Sequence, residues 1–123
     1  MASLILIVED DADIREILAD FLRVKGYDVA TAANGLAARD WLRSTRALPA
    51  LILLDLMMPV MDGWLFRAEQ LLDAALASIP VIVLSGAGDV RKEAAALGAV
   101  AYVTKPFKLE SLLGILERSC PPS

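Results

Sequence analysis

The sequence predicts an α/β fold: a five-stranded parallel sheet covered by helices on both faces. Three observations carry that prediction. Short runs with strand character recur at 4–8, 27–31, 51–54, 80–84 and 101–103, most of them wholly apolar. The segments between them repeat apolar residues at helical spacing. Capping residues and glycines punctuate the joins. An uninterrupted apolar strand is one buried on both faces, and helices between such strands imply right-handed crossovers in a parallel sheet.

The elements follow in order. Leu4, Ile5, Leu6, Ile7 and Val8 form the first strand. Asp11 is placed to cap a helix whose Ile14, Ile17, Leu18, Phe21 and Leu22 face inward, and Gly26 stops it. A second strand spans 27–31. Asn34 caps a helix running to about Arg46, with Ala37, Ala38, Trp41 and Leu42 inside, and Pro49 ends the connection. The third strand, 51–54, leads into a loop from Asp55 to Asp62. Gly63 opens a helix with Leu65, Ala68, Leu72 and Ala75 inward. After the fourth strand, 80–84, comes a flexible Ser85-Gly86-Ala87-Gly88 loop, and Asp89 caps a short helix stopped by Gly98. The fifth strand, 101–103, precedes Lys105-Pro106 and a last helix marked by Leu109, Leu112, Leu113 and Leu116. Residues 1–119 read as one domain and 120–123 as a tail or the start of a linker, because Cys120-Pro121-Pro122-Ser123 cannot extend a helix. No repeat underlies the alternation.

Composition excludes several classes. With 123 residues there is room for one core, and 57% hydrophobic residues rule out disorder. No apolar run approaches the roughly 18 residues of a membrane span. The net charge of −4 offers no footprint for a phosphate backbone, so direct nucleic-acid binding by this chain is not expected. The single Cys120 cannot pair internally, which suits a reducing, cytoplasmic setting. The chain contains no His. That removes the commonest general base and the Ser–His and Cys–His nucleophile pairs, and it limits any metal to oxygen-held Mg²⁺ or Ca²⁺.

In an open parallel sheet, ligands bind beyond the carboxyl ends of the strands. Strand one delivers Glu9, Asp10 and Asp11 there, strand three Asp55, strand four Ser85 and strand five Thr104 and Lys105. Two carboxylates about 4 Å apart repel by roughly 4 kcal/mol at an effective dielectric near 20. A cluster of Glu9, Asp10 and Asp55 therefore needs cations. Lys105 supplies one, and a divalent ion such as Mg²⁺, which favours one or two carboxylates plus phosphate oxygens, supplies the rest. Asp11 reads as a helix cap, and Ser85, Lys105 and Tyr102 taken singly read as ordinary loop, surface and packing residues. Their joint arrival at one rim makes them a site.

These residues carry a resemblance. Ile5-Leu6-Ile7-Val8-Glu9-Asp10-Asp11, Leu53-Leu54-Asp55-Leu56-Met57-Met58-Pro59-Val60-Met61-Asp62-Gly63, Ser85-Gly86 and Lys105-Pro106-Phe107 resemble the CheY-like receiver domain of bacterial two-component response regulators. The likeness runs from about Leu4 to Leu116. It implies a flavodoxin-like, doubly wound sheet with strand order 2-1-3-4-5. It implies Asp55 as phosphoacceptor, Asp10 as direct Mg²⁺ ligand, Glu9 as a ligand through water, and Met57 as the residue whose carbonyl completes the metal site. Ser85 would bond the phosphoryl group, Lys105 would pair with it, and Tyr102 would be the aromatic switch. The Lys105–Pro106 bond matches one that is cis in the family. The donor would be a phosphohistidine on a sensor histidine kinase or histidine phosphotransfer protein, since this chain has no His.

Phosphorylation would then shift the surface of the fourth helix, fifth strand and fifth helix, with Arg91, Lys92, Tyr102 and Lys108 meeting partners or a second copy of the chain. Small side chains at Gly86 and Ala87 would leave Asp55 open to the donor. Met57 and Ala87 are apolar where family members often carry polar groups that aim water, so a long-lived phosphoryl group is expected. No effector segment follows Leu116, in keeping with a stand-alone receiver or a fragment.

Rival readings fit less well. A haloacid-dehalogenase-type phosphatase needs an acid where Met57 stands. A flavodoxin needs a phosphate-cradling loop where the acids stand, and a cobalamin module needs a His. A degenerate receiver acting only as an interaction module predicts no Mg²⁺ affinity.

Overall fold

The computed structural model describes residues 3–86 and 88–121. Five strands and five helices alternate: β1 Leu4–Val8, α1 Ala12–Val24, β2 Asp28–Ala32, α2 Gly35–Ser44, β3 Leu51–Asp55, α3 Gly63–Leu72, β4 Val81–Ser85, α4 Val90–Ala96, β5 Ala101–Thr104 and α5 Leu109–Ser119. All strand pairs are parallel, in the order β2-β1-β3-β4-β5. This is the predicted doubly wound sheet. Among the described residues no helix is long and apolar enough to cross a membrane.

Side-chain alternation divides the core in two. Leu6, Val8, Ile52, Leu54, Val81 and Val83 pack with Ala38 and Leu42 of α2, Phe66 of α3, and Val90 and Ala94 of α4. Ile5, Ile7, Leu51, Leu53, Ile82 and Leu84 pack with Leu18 and Leu22 of α1 and Leu112 and Leu116 of α5. The chain leaves β1 toward β2 on one side and returns over β1 to β3 on the other, so the winding reverses between β1 and β3. Asp11 caps α1 by accepting from the amides of Asp13 and Ile14, and Asn34, Asp62 and Asp89 cap α2, α3 and α4 in the same manner.

Several expectations need correction. The third and fourth strands each close on a polar residue, Asp55 and Ser85, and the fifth on Thr104. The second strand begins at Asp28, because Tyr27 is buried ahead of it with its hydroxyl donating to the Cys120 carbonyl at 2.7 Å. Cys120 is thus packed into the core beside Tyr27, in the cluster that holds Leu112 and Leu116. Pro122 and Ser123 lie outside the described residues. The second helix ends at Ser44, where the Thr45 hydroxyl bonds the Ala47 backbone and draws the chain out of helical geometry. Within it Ala37 is exposed, and in α1 Ile17 is more than half exposed.

The largest correction concerns α3. Leu65, Ala68 and Leu72 face solvent, and Ala75 lies past the helix. The buried positions are Gly63, Phe66, Arg67 and Gln70. Gly63 sets this rotation, since a Cβ there would come within 2.6 Å of the Asp55 carbonyl. With Gly63 turned to the sheet, helical geometry brings 66, 67 and 70 inward too. The two polar residues are accommodated by carbonyls. Arg67 donates to Leu97 at 3.0 Å, Gly98 at 3.3 Å and the Gln70 side chain at 2.8 Å. Gln70 donates to Leu76 and Ile79, each at 3.0 Å.

Candidate functional site

At the carboxyl ends of β1 and β3, beside the reversal in winding, lies a shallow cavity of about 300 Å³. Glu9, Asp10, Asp11, Ile14, Asp55, Met57, Gly86 and Lys105 line it. Register explains the convergence. Val8 pairs with Leu54 and Asp55 with Leu84, so Glu9, the first residue past β1, lies at nearly one level with Asp55 and Ser85, which end β3 and β4. Ser85 pairs with Thr104, and its carbonyl accepts the Lys105 amide at 2.9 Å, which brings Lys105 to the same rim.

Glu9, Asp10 and Asp55 each offer an oxygen, and the three lie within 4.8 Å of one another. Glu9 and Asp55 are buried, while Asp10 is exposed to solvent. The Lys105 ammonium donates to Glu9 Oε1 and lies 3.5 Å from Asp55 Oδ2. The other Asp55 oxygen, Oδ1, accepts the Met57 amide at 3.2 Å. The Met57 side chain points to solvent. The Lys105–Pro106 bond is cis.

The electrostatics reflect too many acids for one ammonium. Burial, and then the adjoining Glu9 carboxylate, push the Asp55 carboxyl up to about 7, against the opposing pull of Lys105. Lys105 is itself desolvated, which favours losing its proton, but Glu9 and Asp55 outweigh this and hold it above the ordinary lysine value. A hard divalent cation would relieve the same repulsion, and the donors present are all oxygen.

The sequence-predicted residues fall into two groups. Glu9, Asp10, Asp55 and Lys105 share one cavity, with Met57 at its edge. Ser85 is fully buried at the end of β4. Tyr102, on β5, pairs with Val83 of β4 and is 39% exposed. Ala87 lies outside the described residues. Sequence reasoning passed over Arg15, whose guanidinium reaches back to the Glu9 carbonyl at 2.8 Å. Its place in the first turn of α1, just after the acids, was the available signal.

The profile of the family described as response regulator receiver domain matches residues 5–117. The chain belongs to that family. Among curated relatives, this receiver domain is 35% identical to the "DNA-binding dual master transcriptional regulator RpaA" of Synechocystis, covering 89% of this chain and 45% of the relative. It is 39% identical to the response regulator MprA of Mycobacterium bovis, covering 98% of this chain and 54% of the relative. The chain therefore spans about half the length of the curated relatives it matches. Among solved structures, the chemotaxis response regulator CheY4 of Vibrio cholerae superposes with a TM-score of 0.87 at 31% identity, covering 97% of this chain and 99% of that one. The response regulator TrrA of Thermotoga maritima, solved in complex with Mg²⁺-BeF, gives 0.82 at 28% identity, with 95% and 98% covered.

Proposed function

We propose that this receiver domain takes a phosphoryl group from a partner's phosphohistidine onto Asp55, with Mg²⁺, and signals through the surface of α4, β5 and α5. One observation carries the reading: a buried Asp55 with one oxygen held by an amide, the other facing an ammonium, and two more carboxylates within reach of a single ion. Glu9, Asp10 and Asp55, with the Met57 carbonyl, would hold Mg²⁺, which when bound neutralises these carboxylates and the phosphoryl oxygens. TrrA, crystallised with Mg²⁺-BeF, supports that assignment by similarity.

The chain's own groups supply the rest. The Met57 amide fixes Asp55 Oδ1, leaving the carboxylate oriented for attack on phosphorus. A P–O bond forms, the P–N bond breaks, and the donor imidazole leaves with that electron pair. Lys105 offsets charge on the transferring group, and the Ser85 hydroxyl bonds one of its oxygens. Because the chain has no His, the donor comes from a sensor histidine kinase or a histidine phosphotransfer protein. An apolar groove of about 430 Å³, lined by Ile14, Ile17, Leu18, Pro106, Phe107 and Leu109, adjoins the acidic cavity and shares Ile14 and Lys105 with it. It suits a helix presenting that imidazole.

The acyl phosphate adds charge and acceptor oxygens. Ser85 moves to meet one, the loop through Gly86 and Gly88 follows, and Tyr102 turns inward. The population of one α4-β5-α5 arrangement rises at the expense of another. Arg91, Lys92, Tyr102 and Lys108 then meet a partner, which includes a second copy of the domain. The exposed Met57 thioether cannot aim water at the phosphoryl group, so the acyl phosphate persists beyond seconds in Mg²⁺ buffer.

The test is incubation with Mg²⁺ and acetyl phosphate followed by intact mass. The wild type gains one phosphoryl group and Asp55→Asn gains none. An unmodified wild type whose Trp41 and Trp64 fluorescence also ignores beryllofluoride contradicts the reading and favours a phosphorylation-independent interaction module.

A further inference from the structure

We propose that Arg15 is a positioning residue for the cation site, fixing the Glu9–Asp10 turn from behind so that both carboxylates stay turned toward Asp55. The inference rests on the metal-binding reading above and adds a residue to it. Arg15 Nη1 donates to the Glu9 carbonyl at 2.8 Å and to the Asp10 carbonyl at 3.5 Å. Glu9, Asp10, Asp11 and Asp13 all lie within six residues of it in sequence. Yet among the described residues its guanidinium joins no ion pair. An arginine surrounded by acids ordinarily forks onto a carboxylate. This one bonds the main chain of the two residues that carry the ligands.

The consequence is geometric. The two carbonyls lie just past the end of β1, after the Glu9 amide has made its bond to Ala32 at 3.1 Å. Rotation of a peptide plane there would swing the flanking side chains away from Asp55. Asp11 also steadies the turn, its amide on Glu9 Oε2 at 3.4 Å and its carboxylate capping α1. Arg15 grips the carbonyls of both ligand residues at once, and a charge-assisted bond is the stronger kind.

The sign of the effect separates position from charge. A cation beside a cation site repels the incoming ion, so if Arg15 acts through charge, removing it tightens Mg²⁺ binding. If it acts through position, removal loosens binding. The experiment is calorimetric titration of MgCl₂ into wild type, Arg15→Met and Arg15→Lys at one ionic strength, with hydrogen exchange of the metal-free proteins. Arg15→Met should bind Mg²⁺ roughly tenfold more weakly, the usual scale for a group that orients ligands. Exchange at the amides of Asp10 and Asp11 should quicken. Arg15→Lys, which keeps the charge and reaches one carbonyl, should recover part of the affinity, and it remains informative if Arg15→Met does not fold. Equal or tighter binding by both variants overturns the inference and leaves the metal site standing. No Mg²⁺ binding by the wild type overturns both.

Discussion

Two polar clusters in this molecule, one partly open at the rim and one buried, are built on opposite plans. At the rim, three carboxylates, Glu9, Asp10 and Asp55, share one ammonium from Lys105. Inside α3, Arg67 and Gln70 are buried with no carboxylate partner among the described residues, and each is taken up by main-chain carbonyls or by the other. Two of those carbonyls, Leu97 at the C-cap of α4 and Gly98 after it, lie at the end of the helix where its dipole favours a cation. The second cluster is complete as it stands. The first remains short of positive charge. A closed polar network ties elements together, whereas an excess of carboxylates favours an added cation.

Removing a charge should therefore have opposite effects in the two places. Arg67→Met leaves the Leu97, Gly98 and Gln70 oxygens without a donor, and should lower the unfolding free energy by about 3–4 kcal/mol. Denaturant melts measure this, and the Mg²⁺ affinity of the folded variant should not change. Asp55→Asn should raise the melting temperature of the metal-free protein at pH 8. The sign follows from linkage. The folded-state pKa of Asp55 is raised to about 7, so between about pH 4 and pH 7 the native state keeps a proton that the unfolded chain has lost, and by pH 8 the full cost of ionising the buried group is present. Stability falls as pH rises through that window, and the neutral amide escapes the loss. A lower melting temperature for Asp55→Asn would break the comparison.

Two smaller tests sharpen it. Tyr27 belongs to the closed kind of site, its hydroxyl buried against the Cys120 carbonyl. Burial, first, and then the charges of Cys120 and Glu117 raise its pKa to about 12. The unfolded chain loses this proton near pH 10, so stability should decline between about pH 10 and 12, by at most about 3 kcal/mol. Tyr27→Phe should remove that slope and cost about 1 kcal/mol at neutral pH. The smallest effect lies beside the open site. Val60, in the loop after Asp55, holds φ at 69° with its side chain 76% exposed. A β-branched residue is strained there and buries little in return. Val60→Gly should raise stability by roughly 1 kcal/mol, read from the same melts.

The sheet was legible because strands buried on both faces write themselves as unbroken apolar runs, as at Leu4–Val8 and Leu51–Leu54. The rim was legible for a related reason. The polar residues that follow each run must emerge at the same edge of a parallel sheet, so the pattern alone groups Glu9, Asp55, Ser85 and Lys105. The rotation of α3 was not legible. Its Leu65, Ala68 and Leu72 repeat suits an inner face, but the contact of Gly63 with β3 turned Phe66, Arg67 and Gln70 inward. Apolar periodicity reports a stripe without saying which neighbour constrains the helix. Arg67 and Arg15 escaped notice because their partners are carbonyls, which carry no sequence signature. The buried Cys120 was hidden by Pro121 and Pro122, which end a helix without saying where the preceding side chain packs.

The claim that the rim is one cation and one phosphoryl group short is tested most directly by calorimetry with Mg²⁺ and beryllofluoride, added separately and then together. The predicted result is strong mutual dependence: beryllofluoride binds only when Mg²⁺ is present and tightens Mg²⁺ binding in turn, and Asp55→Asn abolishes the coupling. Independent binding of the two, or coupling that survives in Asp55→Asn, would contradict the account.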